Sequence, residues 1–390
     1  MSVTFPGGFR ASGVSAGIKE SNKADMALVV SEDCRPYVSA GTFTTNLSAA
    51  APVKLSKANL ALSKGEMVGV LLTSGNANAA TGKRGDEAAK RSLERLGELL
   101  GVDPTSLMVA STGLIGIQMP VEKLIGGLEG AVDSLGATLQ DGTLAAEAMM
   151  TTDTFAKTST YEINGVKFGG IAKGAAMIAP NMATMLAMVT TDAQVNRDDL
   201  AEGLFRAVDA TFNRITIDGC TSTNDSVFVM ASGKSGRSLS AGELYQGLYS
   251  ICYDLARQIV FDAEGATKLI EVAVTKAASV DDALAVARKI AESSLVKCSF
   301  FGEDPYWGRI ISEVGTAGVD LDIDRVTIRY GGIMLYSDGE EILVDPSTTA
   351  AVMALREIHL EVDLSCGIES ASIITADLSP AYIAENMRTS

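Results

Sequence analysis

Histidine is nearly missing from this chain: His359 is the only one in 390 residues. Ser-His-Asp and Cys-His catalysis both need an imidazole to relay a proton, so His359 alone could serve them. It stands in Glu357-Ile-His-Leu-Glu-Val-Asp363. Strand alternation there puts Glu357, His359, Glu361 and Asp363 on one face and Ile358, Leu360 and Val362 on the other. That pattern reads as a solvated face and not as a catalytic base. The five cysteines, Cys34, Cys220, Cys252, Cys298 and Cys366, are scattered with no C-x-x-C pair. They suggest neither a zinc site nor a disulfide framework, and read as idle or buried thiols in a reducing compartment.

Basic charge is also scarce, with 32 Lys and Arg against 48 Asp and Glu and a formal net charge of −16. Such a balance repels phosphate backbones and anionic membrane surfaces, which argues against nucleic acid as a partner. The most apolar window, 177–189, is broken by Pro180 and Asn181. It falls short of the roughly 20 residues needed to cross a bilayer, so no membrane span is expected. The first eight residues lack a basic segment followed by an apolar core, and a cytoplasmic location is the expectation. Phosphate loops are missing too. Gly233-Lys-Ser235 would need its leading glycine at Phe228, and no complete G-x-G-x-x-G follows a strand. The chain is expected to work without a bound cofactor or metal.

What is present is an ordinary globular composition, 47% hydrophobic and 21% charged, in a chain long enough for a large core with an appended lobe. Helical spacing of apolar residues predicts helices over 86–100, 121–135, 144–149, 197–210 and 242–263. Ser279 followed by Asp282 resembles a capping box that opens a helix running to about 295. Alternation predicts strands over 269–275, 325–330, 357–363 and 371–376, in a mixed lobe with a mostly antiparallel sheet. The stretch Ser74-Gly-Asn-Ala-Asn-Ala-Ala-Thr-Gly82 is a loop between strand and helix. No fixed-period repeat is found.

The remaining chemistry is nucleophilic with a base other than histidine. A threonine freed at a new N-terminus can use its own α-amine, whose reference pKa near 8 leaves an appreciable neutral fraction. Such a threonine would lie in Lys173-Gly-Ala-Ala-Met-Ile-Ala-Pro-Asn-Met-Ala-Thr184-Met-Leu-Ala187. Read from pattern alone, Thr184 fits equally a β-branched residue in a buried strand.

This segment resembles the K-G-x-G-M-I-A-P-N-M-A-T-M-L cleavage motif of the ornithine acetyltransferase family, the bifunctional glutamate N-acetyltransferases of arginine biosynthesis. Other stretches match in order along essentially the whole chain. They are Phe9-Arg-Ala-Ser-Gly-Val-Ser-Ala-Gly-Ile18, Ser74-Gly-Asn-Ala-Asn78, Ser111-Thr-Gly-Leu-Ile-Gly116, Met150-Thr-Thr-Asp153, 218–225, Asp262-Ala-Glu-Gly-Ala-Thr-Lys268 and Asp304-Pro-Tyr-Trp-Gly-Arg309. The resemblance implies an α+β fold, a layered α/β sandwich of the self-processing type with a smaller mixed C-terminal lobe. It implies a cut between Ala183 and Thr184, giving an α chain of residues 1–183 and a β chain of residues 184–390. The implied reaction is ping-pong: Thr184 takes acetyl from N-acetyl-L-ornithine and L-glutamate collects it. Some members also accept acetyl from acetyl-CoA. An α2β2 heterotetramer of the cleaved chains is implied as well.

By the same resemblance, Thr112 and Gly113 form the oxyanion hole. Thr151, Lys173, Thr184, Glu264, Asn386 and Ser390 bind substrate, with Thr389 as the alternative to Ser390. Lys173 would pair with an α-carboxylate and Glu264 with an ammonium group. The chain departs from the family pattern at Ala176 (usually glycine), Cys220 (often aspartate) and Tyr306 (commonly asparagine), and ends one residue early after Asn386. The competing expectations are an N-terminal-nucleophile amidase or aminopeptidase of related fold, a relative serving specialised metabolism, and an uncut amino-acid-binding protein.

Overall fold

The computed structural model describes residues 2–179 and 185–387. The described residues fall into two compact units, one built from 2–213 and 220–259 and the other from 214–219 and 260–387. Residues 179 and 185, on either side of the boundary expected at residue 183, both belong to the first unit.

In the first unit, strand alternation sorts side chains between two cores. Along Met26–Ser31, Met26, Leu28 and Val30 face one way, while Ala27 and Val29 face the other. Leu107–Leu114 does the same, with Leu107 and Val109 opposed to Met108 and Ala110. These strands belong to a four-stranded sheet in the order Phe9–Val14, Met26–Ser31, Gly69–Asn76, Leu107–Leu114. Its outer face is covered by the helices Gly82–Leu100 and Val121–Asp133 through Leu93, Leu96, Leu124 and Leu128.

The inner face packs on a six-stranded sheet ordered Glu66–Met67, Tyr37–Phe43, Ser226–Ala231, Leu186–Thr191, Val166–Lys173, Lys157–Ile163. Ile171, Leu186, Met188, Phe228 and Met230 of that sheet share a core with Val29, Val70, Leu72 and Met108 of the first. The far face of the second sheet meets the helix Ala241–Phe261. Gly247 approaches Phe168 so closely that a Cβ there would lie 2.4 Å from the ring, and Gly170 lies likewise under Ile251 and Leu255. The layers therefore run helix, sheet, sheet, helix, as the sandwich expectation required.

The second unit is a seven-stranded mixed sheet with four antiparallel and two parallel pairings. One face carries Ile270, Val272, Ile328, Leu360 and Ile373 and is covered by Val280–Glu292, Ser294–Phe301 and Trp307–Val314. His359 lies on the other face, exposed, with Nδ1 3.5 Å from Glu271 Oε2. The solvated-face reading holds for Glu357, His359 and Glu361, but Asp363 is buried and takes a hydrogen bond from Lys276.

Several expected bounds coincide with the structure, including Arg197–Ala210 and Glu357–Asp363. The helix expected to run from Ser279 to about 295 is two helices. Ser279 does cap the first through the Asp282 N–H, but Ser293 caps a second through Val296 N–H, which ends the first at Glu292. Among the described residues, no helix is long and apolar enough to cross a membrane.

Candidate active site

Thr112 and Gly113 come at the end of Leu107–Leu114, in parallel register with Ser74 and Gly75. Thr112 is buried. Gly113 has φ +126, and a Cβ on it would fall 2.4 Å from the Gly75 carbonyl carbon and 2.6 Å from Asn76 N. Glycine is required here first by the neighbouring backbone, whatever approaches from the other side. The adjoining Asn-rich loop is self-tied. Asn76 accepts from Asn78 N–H and donates to the carbonyls of Ile117 and Gln118, and Asn78 donates to Gly85 O.

Lys173 ends the strand Val166–Lys173. It is 4% exposed, which rules out a surface lysine, and its Nζ donates to Thr112 Oγ1 at 3.1 Å. Thr151 joins the same group through Asp153, whose Oδ2 accepts the Thr151 N–H at 2.9 Å and its hydroxyl at 3.4 Å. Thr152 is exposed. Asp153 Oδ1 accepts Lys157 Nζ at 2.6 Å and Gly174 N–H at 2.8 Å. Burial alone would raise the Asp153 carboxyl. The ammonium groups of Lys173 and Lys157, with the hydrogen bonds from Lys157 and Thr151, outweigh it and hold the group well below the usual carboxylate range.

A second carboxylate behaves in the opposite way. Asp225 is fully buried and its Oδ1 accepts Met185 N–H at 2.9 Å, while Oδ2 has no hydrogen-bond partner among the described residues. Burial pushes its carboxyl well above the ordinary value, and the Met185 amide and the Lys173 charge only partly offset that. Beside it, Asn224 Nδ2 donates to Ala77 O at 2.6 Å and Ser111 O at 2.8 Å, tying the 218–225 segment to the strand end that carries Thr112.

Thr184 and Ala183, the expected nucleophile and cleavage pair, lie outside the described residues, as does Ser390. The chain re-enters the description at Met185, one residue past Thr184, with its amide on Asp225. In the second unit, Asn386 Nδ2 donates to Glu264 Oε2 at 2.8 Å, so these two expected substrate residues meet each other. Their meeting depends on Gly265. At φ +66, a Cβ would lie 2.3 Å from Tyr382 N, and only glycine lets the helix Pro380–Asn386 settle on this turn.

Of the expected site residues, the first unit thus gathers Thr112, Gly113, Thr151 and Lys173, and the second pairs Glu264 with Asn386. Sequence reasoning passed over Asp153, Lys157, Asn224 and Asp225. Asp153 and Asp225 each end a matched stretch, and Lys157 stands four residues after Asp153, but nothing in their spacing announces burial.

A buried ammonium donating to a buried threonine hydroxyl, with no imidazole in the group, suits reactions in which negative charge builds on a carbonyl oxygen. That chemistry places the molecule among acyl-transfer enzymes. The ArgJ family model matches residues 10–389, and the chain belongs to that family. It is 43% identical over 390 residues to the arginine biosynthesis bifunctional protein ArgJ of Streptomyces avermitilis, covering 99% of each chain. Identity to the protein of the same name from Mycolicibacterium paratuberculosis is 44% over 390 residues, covering 98% of this chain and 95% of that one. A crystal structure of the arginine biosynthesis bifunctional protein from Bacillus halodurans aligns with TM-score 0.50 and 38% identity, over 51% of this chain and 97% of that one. The chain is accordingly an acyltransferase of arginine biosynthesis.

Proposed function

We propose that the chain moves acetyl from N-acetyl-L-ornithine to L-glutamate through an acetyl ester on Thr184, after breaking its own Ala183–Thr184 bond. The observation that carries this reading is the Lys173–Thr112 hydrogen bond, a buried cation on a buried hydroxyl beside the Gly113 amide. In self-cleavage, the Thr184 hydroxyl attacks the Ala183 carbonyl and the C–N bond breaks, with its proton passing to the departing amine. Water then hydrolyses the ester. In transfer, the freed α-amine accepts the Thr184 hydroxyl proton as Oγ attacks the acetyl carbonyl, and returns it to the leaving α-amine of ornithine. The glutamate amine reverses these steps and leaves as acetylglutamate.

Thr112 and Gly113 supply the oxyanion donors. Thr151, Lys173, Glu264, Asn386 and Ser390 are the proposed substrate contacts, with Glu264 matched to an ammonium group and Lys173 to a carboxylate. The buried polar cluster holds an acceptor amine at high effective concentration and limits hydrolysis. The Bacillus halodurans chain, 97% of which is matched by 51% of this one, is about half as long, in keeping with a protein made as one chain and used as two. An α2β2 assembly of the halves, residence in the cytoplasm and a second activity using acetyl-CoA complete the proposal. The names of the curated relatives call them bifunctional.

Intact mass under denaturing conditions, with N-terminal sequencing of each chain, tests the nucleophile. Two chains meeting at Ala183 and Thr184, and an inert, uncut Thr184→Ala, are expected. Normal processing in Thr184→Ala would sink the assignment. Acetylornithine turnover that needs no glutamate would mark a hydrolase instead, and glutamate with acetyl-CoA assays the second activity.

A further inference from the structure

Thr151 lies in an irregular segment, and Lys173 is the last residue of its strand, where sheet pairing stops constraining the chain. One side chain reaches the backbone beside both. Asp153 Oδ2 takes the Thr151 N–H, and its Oδ1 takes the Gly174 N–H, the amide that directly follows Lys173. Oδ1 also takes Lys157 Nζ at 2.6 Å, in an ion pair whose side chains are 0% and 1% exposed. Buried ion pairs stabilise folds poorly, because desolvation offsets the attraction and a well-packed apolar pair does as well. A pair kept at the junction of Thr151 and Lys173 therefore asks for a role other than stability.

We propose that Asp153 is a positioning residue for acetyl transfer: by holding the Thr151 and Gly174 amides on one carboxylate, it sets where Lys173 meets Thr112. The proposal rests on the acetyl-threonine reading of the site. An ammonium group only donates, so in the Lys173–Thr112 bond the threonine oxygen accepts, and its hydrogen stays available for an oxyanion. Donation from Lys173 also polarises that hydroxyl and strengthens it as a donor. The Thr151 N–H and hydroxyl, the Gly174 N–H and the Lys157 ammonium all donate to Asp153, which requires the carboxylate to be ionised. Lys157 supplies the second positive charge that keeps it so.

The test is the paired variant Asp153→Asn with Lys157→Met, which removes both buried charges together. Cleavage is followed by intact mass, and kcat for acetylornithine-to-glutamate transfer is expressed per cleaved molecule. With a Tm near that of the parent, kcat should fall at least ~30-fold while KM moves less than about 5-fold. A folded pair variant with kcat within about 3-fold of the parent overturns the proposal. If the pair does not fold, Asp153→Glu decides by the same kcat and KM criteria, since it keeps the charge but displaces both amides. Thr184→Ala is run alongside. If that variant still splits and transfers, the acetyl-threonine reading fails, whereas an inert Thr184→Ala beside a fully active Asp153 pair removes only the positioning role.

Discussion

Asp153 and Asp225 both feel the Lys173 ammonium, yet burial and partners drive them in opposite directions. Asp225 receives one amide hydrogen bond and keeps an oxygen without a described partner, so its neutral acid is favoured. Its folded pKa is raised above an unfolded value of about 3.9. Through that window the native state binds more protons than the unfolded one, and stability falls as pH rises. Asp153 has the reverse sign: its depressed pKa contributes stability above the unfolded value, and that is lost as pH falls. Thermal unfolding should therefore show Asp225→Asn gaining Tm on the parent between pH 4 and pH 7. Parallel curves for the two proteins across that range would refute the protonated Asp225.

At the scale of elements, periodicity did most of what local physics allows. Arg197–Ala210 and Glu357–Asp363 show one apolar stripe or one alternating face, and their bounds were legible. Helix starts were less so: Leu139–Met149 opens five residues before its apolar spacing suggests, because Thr138 and Asp141 form a capping box there. Close layer packing left no periodic trace. Gly247 sits in the middle of Ala241–Phe261, where helix propensity disfavours glycine, and its reason is Phe168 across the interface. Gly247→Ala should raise intrinsic helix propensity and still lower stability by about 1–3 kcal/mol, because the ring is fixed in its strand. Urea unfolding measures this, and a variant more stable than the parent would show that the two layers can part without penalty.

For the whole molecule, the proposed cut falls between Val166–Lys173 and Leu186–Thr191, which are antiparallel neighbours in one six-stranded sheet. Leu186–Thr191 also pairs in parallel with Ser226–Ala231, which in turn pairs with Tyr37–Phe43 from the first half. The two strands from 184–390 thus lie side by side in the sheet with strands from 1–183 on both flanks, and both halves contribute to the same core. Cleavage at residue 183 should leave the two products bound to one another. Native mass spectrometry is expected to give one species containing both, separable only by denaturant; halves that part in buffer would contradict the shared sheet.

The sequence by itself determined the kind of chemistry, through one histidine, scattered cysteines and the long match around Thr184, and it offered Thr112, Gly113, Thr151, Lys173, Glu264 and Asn386 as the expected site residues. It also determined the elements whose signal is local, since a stripe or an alternation is complete within a dozen residues. Tertiary structure alone decided which of those residues meet. The bonds from Lys173 to Thr112, from Met185 to Asp225 and from Asn386 to Glu264 join positions 61, 40 and 122 residues apart. No periodicity encodes such distances, and Asp153, Lys157 and Asp225 look like ordinary charged residues until folding removes their water. Burial is what binds Asp153 and Lys157 as an ion pair and drives Asp225 toward its neutral acid, and burial belongs to the packed layers rather than to any stretch of chain.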